Sequence, residues 1–170
     1  MTDVPTEIVN PAQAGVQAGL GFPTNFQIGD NVRLAQIIHG EASGQKDNVK
    51  AMVGSAVLNR VESGRDEEFG STVEEVIFSQ RSPFFAASQD SPQFRQARLQ
   101  KFPDAVSEND FKKSLQIANG LIRGTIPRHP GMFFFEGKEV SALKRRKKKV
   151  FDFKKVKETG KVGKFHTFSY

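Results

Sequence analysis

The sequence contains no cysteine and no tryptophan among its 170 residues, and it has a single tyrosine. The absence of cysteine excludes disulfide bonds, thiolate metal sites and catalysis by a cysteine nucleophile. No apolar run approaches the roughly 20 residues that a membrane-spanning helix requires. The N-terminal segment MTDVPTEIVNPAQAG lacks the basic-then-apolar order of a secretion signal. We therefore expect delivery across a membrane to need another agent.

The aromatic residues that are present are almost all phenylalanine, with 16 in the chain. A phenylalanine ring can only pack or stack, so most of these side chains are expected in a core. A chain of this length is long enough for one domain that buries its own core without metal or disulfides.

The net charge of +6 is unevenly distributed. Residues 138–164 hold 12 basic and 3 acidic residues, whereas the rest of the chain has a net charge of −3. Six consecutive cations at Lys144–Lys149 predict a solvent-exposed hairpin between two strands. Contact with a nucleic acid or another anionic polymer is the alternative. Nucleic acid is the less favoured partner, because no aromatic residues interleave this run and the remainder is net negative.

The first 29 residues differ from the rest in composition. Residues 1–29 are rich in Pro, Gly, Ala, Gln, Asn and Thr and show neither a helical nor a strand period. We interpret them as a flexible arm or docking segment, followed by one domain at residues 30–170.

Helical periodicity dominates the first part of that domain. Asp30 is predicted to cap a helix that ends near Gly44, and Asp47 to cap the next one. A capping box in Ser71–Glu75 predicts a short helix through Ile77. The remaining predictions are a loop at Arg81–Asp90, a helix opening at Ser91-Pro92 and a helix at Ser107–Arg123 that stops at Gly124.

The pattern changes after Gly124. Met132–Phe135 predicts a buried strand, Val150–Phe153 the start of a second, and Lys164–Tyr170 alternates as a third. The sequence thus predicts an α+β fold, with helices first and then an antiparallel sheet of about three strands. On the last strand, His166, Phe168 and Tyr170 share one face. This face either lines a groove that stacks on sugars or faces the core.

Glu41 is the candidate catalytic residue. It sits on the last turn of a helix after the apolar stretch Leu34–Ile38, where the helix dipole and desolvation both disfavour the anion and raise the pKa. A carboxylic acid still protonated near neutral pH is what cleavage of a glycosidic bond requires. The alternative is a solvated glutamate at a helix end, which is the commoner situation.

No metal or other cofactor is predicted. His39 and Glu41 match the H-x-E of zinc deaminases, but that site also needs cysteines, which are absent. The spacing of His39, His129 and His166 matches no known zinc motif.

Several segments then line up in order along the chain: LAQIIHGEA at 34–42, AVLNRV at 56–61, TVEEVI at 72–77, MFFF at 132–135 and GKFHTF at 163–168. Together they resemble the SleB-like cell-wall hydrolases, the family of the spore cortex-lytic enzymes. The resemblance covers roughly Asp30 to Tyr170. The sequence departs from the family in the loop after the third segment, QRSPFF at 80–85, and in Ser169, which separates Phe168 from Tyr170.

The resemblance implies a lysozyme-like fold and cleavage of peptidoglycan between N-acetylmuramic acid and N-acetylglucosamine. It also implies lytic transglycosylase chemistry with one essential glutamate, here Glu41, and a 1,6-anhydro product. An internal nucleophile of this kind needs no second carboxylate. The predicted substrate-binding residues are Asn59, Ser82, Phe84, Phe135, His166 and Tyr170.

The expected partners follow from this interpretation. Peptidoglycan glycan strands are the expected substrate, and a phage particle is the expected means of delivery. Residues 1–29 would then dock on other virion proteins, and the enzyme would act in the bacterial periplasm or cell wall. The alternative is a non-catalytic virion protein with a lysozyme-like fold that only binds the wall.

Overall fold

The computed structural model describes residue 26 and residues 29–82, 84–145 and 152–170. The helices within this part are α1 (Asp30–Ala42), α2 (Asp47–Val61), α3 (Asp66–Phe69), α4 (Val73–Ile77), α5 (Phe85–Ser88), α6 (Pro92–Leu99), α7 (Ala105–Arg123) and α8 (Gly137–Arg145). The strands are β1 (Phe133–Glu136), β2 (Lys157–Val162) and β3 (Phe165–Ser169). The predicted α+β fold, helical first and then a three-stranded antiparallel sheet, is confirmed.

Helix α1 forms the centre of the helical part and packs against α2, α6 and α7. Its apolar side chains from Leu34 to Ile38 are fully buried. The close approach of α2 depends on Gly54, where an added Cβ would lie 2.5 Å from Leu121 Cδ1 and 2.9 Å from Ile38 Cδ1. A larger residue there would force the three helices apart.

The helix ends follow local sequence closely, with small shifts. Thr72 and Glu75 form the predicted capping box, Ser91 caps α6, and Gly124 ends α7 in the left-handed conformation. The longest helix begins earlier than predicted because Asp104 caps it, accepting a 2.7 Å hydrogen bond from the Ser107 amide. Asp30 and Asp47 are the first residues of α1 and α2 rather than their caps, which are Gly29 and Lys46. The predicted loop at Arg81–Asp90 contains α5.

The sheet has the strand order β1-β3-β2, with both pairs antiparallel. The prediction of a second strand at Val150–Phe153 was wrong, because β2 begins only at Lys157. Asp152 forms a turn instead, in which its side chain accepts a hydrogen bond from the Lys154 amide at 3.1 Å. The Phe153 ring packs on the sheet with its centroid 5.3 Å from that of Phe168. Residues 150 and 151 lie outside the described residues.

Two further predictions fall partly outside the described residues. Lys144 and Arg145 end α8, so this part of the basic run is helical, and the proposed hairpin at 146–149 lies outside the described part. Of residues 1–29, the structure describes Phe26 and Gly29. Phe26 packs against the core, with the Arg128 guanidinium 5.6 Å from its ring centroid. No helix in the described part of the chain is long and apolar enough to cross a membrane.

Candidate active site

The carboxyl group of Glu41 lies where α1 ends against the start of α5. Glu41 is the penultimate residue of α1 and is half-buried. Its Oε1 accepts a hydrogen bond of 2.7 Å from the Ala86 backbone N–H, within the first turn of α5. The acid is therefore fixed by backbone geometry rather than by a mobile side chain.

Gly40 allows this close approach. A Cβ at position 40 would lie 2.9 Å from the Cβ atoms of both Ala86 and Phe94. The last turn of α1 therefore touches α5 and α6 directly, and this contact brings the Glu41 carboxyl within reach of the α5 amides.

The pKa of Glu41 is raised above its ordinary value, chiefly because burial disfavours the carboxylate. The Ala86 hydrogen bond and the positive charge of Arg60 oppose this shift, whereas the negative charge of Glu139 on α8 adds to it. The direction agrees with the sequence argument, and burial is its main cause. The resulting group can hold a proton at a higher pH than an exposed glutamate.

Arg60 is a buried cation near this carboxyl group, and the sequence analysis did not select it. Its Nε donates to the Met132 carbonyl and its Nη1 to the Ser82 carbonyl, each at 2.9 Å. The guanidinium lies within 4.5–5.3 Å of the ring centroids of three phenylalanines: Phe69, Phe84 and Phe133. Burial lowers the pKa of Arg60 to about 10. Two sequence signals pointed to it: Arg60 follows the apolar run from Ala56 to Leu58 closely, and it lies in the segment AVLNRV that resembles the family.

A second buried polar group lies behind the end of α1. Lys50 of α2 and Asp110 of α7 form a 2.9 Å ion pair, and Nδ1 of His39 lies 3.0 Å from the same carboxylate oxygen. The His39 ring is fully buried between Phe102 and Phe111, and burial lowers its pKa. His39 is therefore a core residue in which burial disfavours the charged ring.

Ser82 and Phe84 both contact the buried Arg60. Phe84 is 3% exposed and its ring covers the Arg60 guanidinium at 4.5 Å. The Ser82 carbonyl is occupied by Arg60. These contacts with Arg60 restrain the segment that leads into α5, whose Ala86 amide bonds Glu41. Their predicted contact with substrate stays a prediction.

Asn59 fastens the segment that leads into β1. Its Nδ2 donates to the carbonyl oxygens of His129, at 2.7 Å, and Gly131, at 2.9 Å. The amide nitrogen is thereby committed to the fold, and the predicted contact of Asn59 with substrate would fall to its Oδ1.

The structure brings Phe135 and His166 together as cross-strand neighbours of β1 and β3. His166 also contacts Glu158 through Nδ1 at 2.8 Å. Phe168, between them and Tyr170, is 4% exposed and belongs to the core. Tyr170 is 41% exposed, and its hydroxyl donates to Glu68. The face that His166, Phe168 and Tyr170 share is thus part core, at Phe168, and part surface, at Tyr170. Substrate binding by Phe135, His166 and Tyr170 stays a prediction.

In the part of the chain that the structure describes, no cluster of metal-binding side chains accompanies Glu41. Among the described residues, no three His, Asp or Glu side chains converge so as to hold a metal ion. A surface cavity of about 770 Å³ is lined by α2, α7 and residues 126–130, and it does not include Glu41. The candidate site is therefore identified by the burial and hydrogen bonding of Glu41.

Comparison with known proteins identifies a family for the chain and two structures of similar fold. Residues 44–167 match the model of the family described as cell wall hydrolase, and the match begins beyond Glu41. The catalytic domain of the Bacillus cereus SleB protein is 22% identical, with a TM-score of 0.55 over 86% of this chain and 94% of that one. The catalytic domain of the germination-specific lytic transglycosylase SleB from Bacillus anthracis is also 22% identical, with a TM-score of 0.54 over 86% and 99%. These likenesses confirm the predicted SleB-like, lysozyme-like fold. No curated protein is similar enough in sequence to match.

Proposed function

The chain belongs to the cell wall hydrolase family, and on that premise we propose that it degrades peptidoglycan as a lytic transglycosylase with Glu41 as its general acid and base. The observation that carries this proposal is the half-buried Glu41 carboxyl group, whose pKa is raised while the Ala86 N–H fixes its orientation. A raised pKa extends to higher pH the range in which this group can give a proton to a glycosidic oxygen.

The reaction proceeds through one residue. Glu41 donates its proton to the oxygen that links N-acetylmuramic acid to N-acetylglucosamine, and the bond from C1 to that oxygen breaks. The C6 hydroxyl of the same muramic acid then attacks C1, and its proton passes to the Glu41 carboxylate. The products are a 1,6-anhydro sugar and a free hydroxyl on the leaving sugar. Glu41 ends in its starting state.

The charges around Glu41 suit both halves of this cycle. Burial favours the protonated acid, whereas the Ala86 N–H and Arg60 favour the carboxylate that acts as base.

With an internal nucleophile, the proposed reaction needs no second catalytic carboxylate. A retaining hydrolase uses a second carboxylate as nucleophile. Glu139 is the other acid whose charge acts on Glu41, and its Oε2 accepts a 2.7 Å hydrogen bond from the Glu136 amide. In the proposed reaction the C6 hydroxyl supplies the nucleophile, so Glu139 needs no role beyond its charge.

Digestion of purified peptidoglycan tests the proposal. The parent protein, Glu41→Gln and the control Glu108→Gln, which changes an exposed glutamate of α7, are compared by mass spectrometry of the soluble fragments. We expect anhydro-muropeptides from the parent and the control and none from Glu41→Gln. Hydrated reducing ends would indicate a hydrolase that activates water. Absence of fragments from the folded parent, on glycans from several bacteria, would favour the alternative of a protein that binds the wall without cleaving it.

Delivery of the enzyme by a phage particle, through residues 1–29, stays a prediction from the sequence. Pull-down of virion proteins by the full chain, but not by a chain lacking that segment, would support it.

A further inference from the structure

Lys50 is a cation buried in the helical core. Its side chain is 1% exposed. Its Nζ donates to the Ala42 carbonyl and to Asp110 Oδ2, both at 2.9 Å, and reaches Ser114 Oγ at 3.4 Å. Because an ammonium group loses its hydration on burial, such a group persists only where it is paired and hydrogen-bonded.

The partner of Lys50 touches the same stretch of chain at two other points. Asp110 Oδ2 lies 3.0 Å from Nδ1 of His39, and Oδ1 accepts a hydrogen bond of 3.3 Å from the Gly44 amide. One ion pair therefore contacts the residues at positions 39, 42 and 44, which flank Glu41 on both sides. The pair comes from α2 and α7, so it ties the end of α1 to two other helices.

The contact with Ala42 falls where a helix is weakest. The last carbonyl groups of a helix have no partner within the helix, and helix ends fray. Ala42 is the last residue of α1 and directly follows Glu41. Its carbonyl accepts a 3.0 Å hydrogen bond from the Gln45 amide, and the charged donor Lys50 adds a link from this turn to α2.

We propose that Lys50 and Asp110 are positioning residues, which fix the last turn of α1 so that the Glu41 carboxyl group meets the Ala86 amide. This inference rests on the proposed function of Glu41. Stability alone is a poor reason for the pair, since well-packed apolar residues of similar volume commonly replace a buried ion pair without loss. Positioning is a sufficient reason, because a displacement of about 1 Å at a reacting group costs on the order of 100-fold in rate.

The test replaces the pair with apolar residues of similar size, as Lys50→Met with Asp110→Leu. The matched control is Asp47→Leu with Lys113→Met, which removes an exposed 3.1 Å ion pair between the same two helices. For each protein we would measure the melting temperature, kcat and KM on peptidoglycan fragments, and the NMR chemical shift of the Ala86 amide. That shift reports the hydrogen bond to Glu41 directly, and the Glu41→Gln protein gives its value when the carboxylate is absent.

We expect the Lys50/Asp110 variant to melt within a few degrees of the parent. Its kcat should fall by about 10-fold or more with KM changed by less than about 2-fold, because the loss affects the reacting group and not binding. The Ala86 amide shift should move, whereas the control should match the parent in all three measurements.

An unchanged kcat together with an unchanged Ala86 shift would overturn the inference and leave the pair a purely structural feature. If the double variant does not fold, Lys50→Gln with Asp110→Asn keeps polar groups of similar shape and leaves no unpaired buried charge. We then expect a fall in kcat of about 3-fold and a smaller shift in the same direction. An unchanged kcat and shift in that variant would also overturn it. If the parent protein itself releases no fragments, the proposed function fails, and the Ala86 shift still decides whether the pair positions Glu41.

Discussion

The backbone nitrogen of Ala86 lies 2.7 Å from Oε1 of Glu41, so the first turn of α5 holds the acid that ends α1. This bond favours the carboxylate, whereas burial favours the protonated acid and is the stronger influence. The two effects act on one group from two sides. A change in the burial, hydrogen bonding or neighbouring charge of Glu41 should therefore change its pKa.

The pH dependence of activity should follow the protonation of Glu41. A general acid works only while it is protonated, so kcat/KM should fall as the pH rises through the raised pKa of Glu41. Glu139→Gln removes a negative charge that raises this pKa, and the falling limb should move to lower pH. The measurement is a pH profile of fragment release by the parent and the variant.

Glu108→Gln serves as the control for that profile, because it removes the same charge from an exposed position on α7. Its falling limb should coincide with that of the parent. A limb that moves to higher pH in Glu139→Gln would contradict the electrostatic account of Glu41.

Ionisation of Glu41 should lower the free energy of unfolding, whereas ionisation of a carboxyl group in a structural salt bridge raises it. The pKa of Glu41 is higher in the folded than in the unfolded chain, so the stability it contributes is complete below the unfolded pKa and is lost as the pH rises through the folded pKa. Glutamine keeps the shape without titrating. Glu41→Gln should therefore match the parent at a pH below the unfolded pKa and have the higher free energy of unfolding near pH 7.

Urea denaturation of both proteins at the two pH values measures this difference. A Glu41→Gln protein that is clearly less stable than the parent at pH 7 would show that the carboxylate stabilises the fold, and the argument from burial would then fail.

Local chemistry explains which features could be predicted from the sequence. The capping box of Thr72 and Glu75 and the stop at Gly124 are set by neighbours a few residues away, and both were predicted. Glu41 was selected because it follows an apolar stretch at a helix end, which is also a local feature. The β2 strand was misplaced because Phe153 resembles a strand residue, although its ring packs on the sheet from a turn.

The missed residues have distant partners. Lys50 meets Asp110 across 60 positions of sequence, and Arg60 meets Met132 across 72. Nothing near Lys50 in the chain distinguishes it from the exposed Lys46. Helix α8 was missed as well, because it begins directly after β1 at Gly137, and glycine is unfavourable within a helix.

Arg60 should be more important for stability than surface arginines. Arg60→Met removes two charge-assisted hydrogen bonds to the carbonyls of Ser82 and Met132 and the cation lying among three phenylalanine rings. We expect the free energy of unfolding to fall by about 2–4 kcal/mol. Arg60→Lys should recover only part of this loss, because an ammonium lacks the planar fork that reaches both carbonyls.

Urea denaturation measures the effect, with Arg33→Met as the control. Arg33 forms an exposed 3.0 Å ion pair with Glu74, and its loss should change stability by less than about 0.5 kcal/mol. Equal effects of the two substitutions would mean that Arg60 does not join α2 to the sheet and to the loop before α5 as described.

Tyr170 offers a direct spectroscopic test of the surface around β3. It is the chain's only tyrosine, and the chain has no tryptophan, so the ultraviolet absorbance of phenolate reports this residue alone. Burial and then the hydrogen bond to Glu68 raise its pKa to about 12. Glu68→Gln removes the negative charge that opposes ionisation, and the midpoint should move down toward the ordinary value of 10.0. Tyr170 should ionise near its ordinary pH in urea, where the contact is lost. If the titration midpoint of Tyr170 is the same in the folded parent and in urea, the hydroxyl does not bond Glu68. The residue that follows β3 would then have no hydrogen bond to α3 through this hydroxyl.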